Sequence, residues 1–166
     1  VESTEAIKTD DNKMHPIDCI QPSILKLKDG RLQVLMRTHN ARLATSFSSD
    51  GGDTWSPVTL SEVENNQSGT DAVTLRDGRH VLIYNNFATL PLTRKGPRTP
   101  LSIAISDDGT NWRHALTLED SPIDQYSYPA IIQARDGTLH CVYTWRRQRI
   151  AYKQIAPDKL NSSLVL

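Results

Sequence analysis

Cysteine is scarce: Cys19 and Cys141 are the two in 166 residues, and they show neither Cys-x-x-Cys nor Cys/His spacing. That argues against a zinc site and a disulfide framework, which need several ligands or an even set of thiols at short spacings. An excess of charge of one sign is lacking too. Nineteen Lys plus Arg balance nineteen Asp plus Glu and the pI is about 7.1, so nothing supplies the net basic face that nucleic acid or an anionic membrane surface selects. Neither is expected as a partner. The mean hydropathy is −0.47, and no apolar run approaches the roughly 20 residues of a membrane-spanning helix. Near the N-terminus, Glu2, Glu5, Asp10 and Asp11 stand where a secretion signal would carry an apolar stretch. Neither a metal nor a cofactor is expected. The length leaves room for one domain of ordinary size.

What is present is a repeat. Asp-Gly occurs three times in one setting, LKLKDGRLQVLMR, VTLRDGRHVLIYN and IIQARDGTLHCVYTW, each time between runs that alternate apolar and polar residues. Leu25 and Leu27 alternate with Lys26 and Lys28 before Asp29-Gly30, and Leu32, Val34 and Met36 alternate after it. Asp77-Gly78 and Asp136-Gly137 lie in the same frame. Asp-Gly between alternating strands is a strong hairpin signal, because the two-residue turn needs positive φ at both positions. Three equivalent hairpins are expected.

A second element follows the first two hairpins: Ser48-Ser49-Asp50-Gly51-Gly52-Asp53-Thr54-Trp55 and, one residue shorter, Ser106-Asp107-Asp108-Gly109-Thr110-Asn111-Trp112. Here Ser and Asp side chains can cap backbone N–H groups, Gly takes the positive φ, and both Trp rings are expected to fold back as buried plugs. Turn and box aspartates are 21 residues apart in the first unit and 31 in the second. The ten extra residues fall between Phe87 and Pro100, a long loop with Pro91, Gly96 and Pro97. Each unit reads as a four-stranded meander of the size of a β-propeller blade. The fold expected is therefore all-β, with about three antiparallel blades near residues 17–65, 66–122 and 123–160. Since propellers close with roughly 4 to 8 blades, the remaining blades are expected from the same polypeptide or a second copy.

The pattern Ser-x-Asp-x-Gly-x-x-Trp at Ser48 to Trp55 is similar to the Asp-box, or bacterial neuraminidase repeat, and the chain resembles the C-terminal half of a six-bladed propeller of the sialidase (neuraminidase) superfamily. The boxes then build turns and do no chemistry. The resemblance implies functional residues on the opposite rim. A catalytic Glu is expected ahead of the strand leading into an Asp-Gly turn, and Gln21 stands there. The second Arg of a carboxylate-binding triad ends the strand after that turn, as Arg37 does. The third precedes a strand ending in an Asp-box, which fits Arg98, with Arg94 as a rival. The nucleophilic Tyr lies in a Tyr-Ser pair before the last Asp-Gly turn, matching Tyr126-Ser127. Tyr128 is nearly adjacent, so one of the two is core and the other functional. The first triad Arg and the acid Asp belong to earlier blades. Asp18, Glu62, Glu64 and Asp71 lie on loops or strand starts, where a carboxylate is ordinarily solvated, and none is assigned a role.

These residue types suit an acidic sugar. Sialic acid carries a carboxylate on its anomeric carbon, and guanidinium forks bind such a group bidentately where Lys would act as a point charge. An anionic nucleophile would be repelled by that carboxylate, which favours a neutral phenol over the usual carboxylate pair. A phenol of pKa near 10 needs a neighbouring base, and Gln21 cannot take a proton. The resemblance thus implies an exo-acting glycoside hydrolase of acidic-sugar glycosides, secreted or periplasmic, impaired by Gln21. Two alternatives stand beside it: a non-catalytic carbohydrate-binding propeller, and a hydrolase or lyase acting on uronic-acid polysaccharide through Tyr126 or His15. Trp145-Arg146-Arg147 could stack on a sugar.

Overall fold

The computed structural model describes residues 6–8, 14–89, 96–123, 125–160 and 164–165. Arg94, Pro91 and the side chain of His15 fall outside the described residues. A short pair, β1 (Ala6–Lys8) and β2 (Met14–Pro16), precedes three antiparallel sheets. The first runs β3 (Cys19–Lys26), β4 (Leu32–Thr38), β5 (Arg42–Ser48) and β6 (Thr59–Glu64) in sequence order. The second runs β7 (Asp71–Thr74), β8 (His80–Asn85), β9 (Leu101–Ser106) and β10 (Trp112–Glu119). The third contains β11 (Tyr126–Gln133), β12 (Leu139–Trp145) and β13 (Arg149–Ile155). After a 3-10 turn at Pro157–Leu160, β14 (Leu164–Val165) returns to the free edge of β10 as a fifth strand of the second sheet. No described helix is long and apolar enough to cross a membrane.

The meander pattern follows from the alternation seen in the sequence. β8 and β9 are buried along their whole length, because the second sheet is sandwiched between the other two. One core cluster joins it to the third sheet through Val81, Ile103, Ile131, Leu139 and Tyr143. Another joins it to the first through Leu25, Leu35, Leu82, Tyr84 and Trp112. The outer face of the third sheet has no such cover. Ile132, Val142, Ile150 and Tyr152 share that face by register and are exposed.

The three Asp-Gly turns are alike, but they are not the two-residue turn expected. Gly30, Gly78 and Gly137 take φ of 89°, 84° and 93°, whereas their aspartates stay out of the left-handed region. Each Gly N–H bonds the carbonyl three residues back, that of Leu27, Leu75 or Ala134, at 3.0 Å. This is a type I turn followed by a left-handed glycine, the usual three-residue hairpin loop. Asp29, Asp77 and Asp136 each accept the N–H two residues on, at 3.0 Å.

Both boxes are turns built around an aspartate. Asp50 accepts the Ser48 hydroxyl at 2.7 Å and the Thr54 N–H at 2.9 Å. Asp108 accepts from Ser106 Oγ at 3.0 Å and from the N–H groups of Thr110 and Asn111 at 2.8 and 2.7 Å. Each Trp indole donates to a box glycine carbonyl at 3.0 Å. Trp112 is buried as expected, but Trp55 is only half-buried. The extra residue of the first box holds Trp55 off the strand start, whereas Trp112 begins β10 opposite Ser106. Gly109 suits its place: at φ 77° it holds a backbone that L side chains rarely adopt, and a Cβ there would run into the Gln33 side-chain amide.

The boxes predict an acid limit to stability. Thr54, through its hydroxyl and N–H, and then Ser48 hold the Asp50 carboxyl well below the usual range. At Asp108 burial works against ionisation, but the N–H and side chain of Asn111 and the N–H of Thr110 outweigh it and hold the carboxyl at about 2. A depressed folded-state pKa contributes stability above the unfolded value of about 3.9 and loses it as pH falls further. Melting temperature is expected to fall as pH drops from about 4 towards 2, and less steeply in Asp108→Asn. Parallel curves for the two proteins, measured by calorimetry, would show that Asp108 contributes nothing.

Candidate functional site

β7 lies against both β3 and β11, so the starts of these three strands converge on the rim opposite the Asp-Gly turns. Each start is irregular. The β3–β4 register shifts between Ile20 and Ser23, and the β11–β12 register shifts between Ser127 and Ala130. In these bulges Gln21 and Tyr128 take φ of 55° and 52°, a left-handed backbone that non-glycine residues hold only when the surroundings over-determine it. Proline follows each of them. The corresponding residue of the second unit is Gly69, where an added Cβ would stand 3.2 Å from Gln21 Oε1 and 3.3 Å from Tyr128 Cδ1. The bare glycine lets the Gln21 and Tyr128 side chains close over it.

Arg37, near the end of β4, reaches into this group. It is 5% exposed, and its Nη1 donates to Gln21 Oε1 at 2.9 Å. Burial and then the positive charge of Arg98 push its pKa down, while the Tyr128 phenol, hydrogen-bonded to it, pushes it up. Arg37 forms no ion pair among the described residues, and its Nε has no hydrogen-bond partner there. Arg98, 4% exposed, places its guanidinium 4.9 Å from the centre of the Tyr128 ring. Two buried cations thus flank a phenol that is half exposed. A cleft of about 560 Å³ beside the second box, lined by Glu62, Asp107, Trp112 and Arg113 among others, shares no residue with this group.

Of the residues singled out in the sequence, Gln21, Arg37 and Arg98 meet. Tyr126 does not join them. It is 1% exposed, packs edge-on against Tyr143 with ring centres 6.5 Å apart, and lies within 3.4 Å of Arg146 Nη2 through its hydroxyl. Its carbonyl accepts from Asn85 Nδ2 at 3.0 Å, and its N–H donates to the Arg98 carbonyl at 2.9 Å. Tyr126 is a core residue that helps seat Arg98, and it is Tyr128 that lies beside the two guanidiniums. The reason is the bulge, which reverses the side-chain alternation between Ser127 and Ala130. A signal for Tyr128 lies in the spacing: Gln21, Gly69 and Tyr128 each precede their turn aspartate by eight residues, and Tyr126 does not.

Asp71 is a further residue whose importance the sequence did not disclose. Its Oδ1 accepts the Ser23 hydroxyl of β3 at 2.9 Å, and its Oδ2 accepts the Ile131 N–H of β11 at 2.8 Å. One carboxylate therefore ties the second sheet to both others, just beyond each bulge.

Three antiparallel meanders side by side, two of them closed by an Asp-box, have the architecture of part of a β-propeller. The chain belongs to the BNR repeat-like domain family, which it matches over residues 3–141. It is 25% identical over 153 residues to an anhydrosialidase of Macrobdella decora, covering 81% of this chain and 20% of that protein. In structure it is similar to the intramolecular trans-sialidase of Ruminococcus gnavus, solved with oseltamivir carboxylate, with TM-score 0.67, 20% identity and coverage of 93% of this chain and 38% of that one. It also resembles an α-L-arabinanase of Penicillium chrysogenum solved with arabinobiose, with TM-score 0.59, 18% identity and coverage of 89% and 48%. The chain thus spans about a fifth of the anhydrosialidase and less than half of either structure.

Proposed function

We propose that Arg37 and Arg98 grip the carboxylate of an acidic sugar, and that Tyr128 is the nucleophile for its anomeric carbon in a propeller completed by further blades. The observation that carries this reading is the meeting of two buried guanidiniums, one with no described carboxylate partner, beside an accessible phenol. Guanidinium forks in a partly dry site bind a carboxylate through charge-assisted hydrogen bonds, and they orient the sugar with its anomeric carbon towards the phenol. Attack by Tyr128 Oη would form a tyrosyl–glycosyl bond, its phenol proton passing to a base outside the described blades, since Gln21 cannot take it, as the glycosidic C–O bond breaks and the leaving oxygen takes a proton from an acid in another blade. Water then releases the sugar. The exposed apolar face of the third sheet supports neighbouring blades, from the same polypeptide or a second copy. A secreted or periplasmic location goes with a glycan of this kind.

Gln21 favours a second reading. Its amide oxygen accepts from Arg37 where a base would be needed to take the Tyr128 proton, so the site can bind an acid sugar without turning it over on sialosides. General acid–base catalysis is typically worth about 10²–10⁴-fold, and Gln21→Glu is expected to restore part of it. The test is to assay the longest native polypeptide on an activated sialoside and on a uronic-acid glycoside, with Gln21→Glu, Tyr128→Phe and Tyr126→Phe. Gain by the Glu variant on the sialoside, abolished by Tyr128→Phe, supports a weakened sialidase. Activity of the unaltered protein on the uronide alone moves the substrate to uronic acids. Loss in Tyr126→Phe with Tyr128→Phe unaffected would overturn the assignment of the nucleophile.

A further inference from the structure

The turn between β12 and β13, with the first residue of β13, carries three arginines in four residues, Arg146, Arg147 and Arg149, on the same rim as Arg37. None of the three pairs with a carboxylate among the described residues, whereas Arg31, Arg42, Arg79, Arg113 and Lys153 all do. In a chain of zero net charge this is a local concentration of free positive charge. Its partners are neutral: Arg146 Nη2 donates to Ser121 Oγ at 2.8 Å and Arg147 Nε to Gln125 Oε1 at 2.7 Å. These contacts aim the guanidiniums and leave their charge uncancelled. The guanidiniums of Arg146 and Arg149 also lie 4.4 and 4.1 Å from the centre of the Trp145 ring, which holds them in place.

The backbone adds a second observation. Arg146 and Arg147 take φ of 50° and 54° in a two-residue turn closed by the Gln148 N–H to the Trp145 carbonyl at 3.0 Å. Such a turn favours Asn-Gly or Gly-Gly, so two arginines there hold an unfavourable backbone where glycine would relieve it. Strain kept at an accessible cationic turn points to use rather than to folding. The turn is also joined to the site. The Arg146 N–H bonds the Gln125 carbonyl at 2.6 Å, and the next residue, Tyr126, bonds the Arg98 carbonyl.

We propose that Arg146, Arg147 and Arg149 form a second anion subsite, which takes the next carboxylated or sulfated unit of an acidic oligosaccharide whose terminal acid lies against Arg37 and Arg98. The inference rests on the function proposed above and narrows its substrate from a single acidic sugar to a chain of them. Planar guanidinium forks fit carboxylate and sulfate alike, so the chemistry shared by the two is an anionic sugar substituent.

The test is calorimetric titration of the full chain with galacturonic acid, trigalacturonic acid and a sulfated oligosaccharide of equal length, at two salt concentrations. Arg147→Gly, Arg147→Gln/Arg149→Gln and Arg37→Met are titrated beside the unaltered protein. The trimer is expected to bind about tenfold more tightly than the monomer, an advantage of about 1.4 kcal/mol that both turn variants erase while monomer affinity stays unchanged. Arg147→Gly relieves the backbone, so its melting temperature should not fall, which separates lost recognition from lost folding. The trimer and the sulfated ligand then show whether carboxylate or sulfate is preferred. Equal affinity for monomer and trimer in the unaltered protein would overturn the subsite, while loss of monomer binding in Arg37→Met would leave the terminal site standing. Trimer binding that depends on the turn but not on Arg37 would keep the subsite and sink the proposed function. Absence of binding by every ligand would overturn both.

Discussion

Arg37→Met is expected to abolish binding of an acid sugar while leaving the protein as stable as before, or more so. Arg37 is 5% exposed, and burial and then the nearby Arg98 charge lower its pKa. Its side-chain hydrogen bonds reach Gln21 and the Tyr128 phenol. A buried cation beside another cation, with no carboxylate among the described residues to repay its desolvation, is costly to the fold, and an apolar side chain of similar length removes that cost. The ligand loses two charge-assisted hydrogen bonds worth about 1.5–3 kcal/mol each, which at about 1.4 kcal/mol per tenfold corresponds to about 10²-fold or more in Kd. Arg37→Lys should fall between, keeping the charge without the fork. Titration with sialic and galacturonic acids, beside thermal melts, checks both halves. A sharp fall in melting temperature with binding intact would make Arg37 a structural strut.

Trp112→Ala should be the most damaging substitution in the boxes. Trp112 is 4% exposed and packs with Leu25 and Leu35 of the first sheet and Leu82 and Tyr84 of the second. Removing it opens a cavity at the junction of two sheets, where large-to-small changes cost about 3–5 kcal/mol. Against a total stability of about 5–15 kcal/mol, that brings the chain close to unfolding. Trp55→Ala should cost clearly less, since Trp55 is half-buried and joins none of the core clusters. Urea unfolding of the two variants checks the difference. Equal losses would mean that the boxes contribute through their turns rather than their rings.

The repeats were legible because they are local. Asp-Gly spacing and Ser-x-Asp-x-Gly boxes encode turns, and turns separated by alternating runs encode the meander. The turn type was not legible, since Asp-Gly suits both a mirror-image turn and a type I turn with a left-handed glycine. The site was legible in part. Arg37 was legible from the order of residues after the Asp-Gly turn, but Tyr128 lies behind a bulge, and a single inserted residue exchanges the two faces of a strand. A bulge is set by contacts from other sheets, here Asp71 on Ile131 and Gly69 under the ring, and no local pattern reports it. The return of β14 to β10 was hidden for a similar reason, as two residues carry no periodicity.

The Asp71 carboxylate, shared between Ser23 of one neighbouring sheet and Ile131 of the other, adds a polar clamp to the apolar clusters that join the three sheets. That sharing sets where change can accumulate. Under the function proposed above, a descendant of this chain that exchanged one acidic sugar for another could vary Gln21 or the residue at position 128, because neither takes part in the clamp. It could not vary the clamp without disturbing three sheets together. The side chain with the least freedom to drift is therefore one to which the proposed chemistry gives no part.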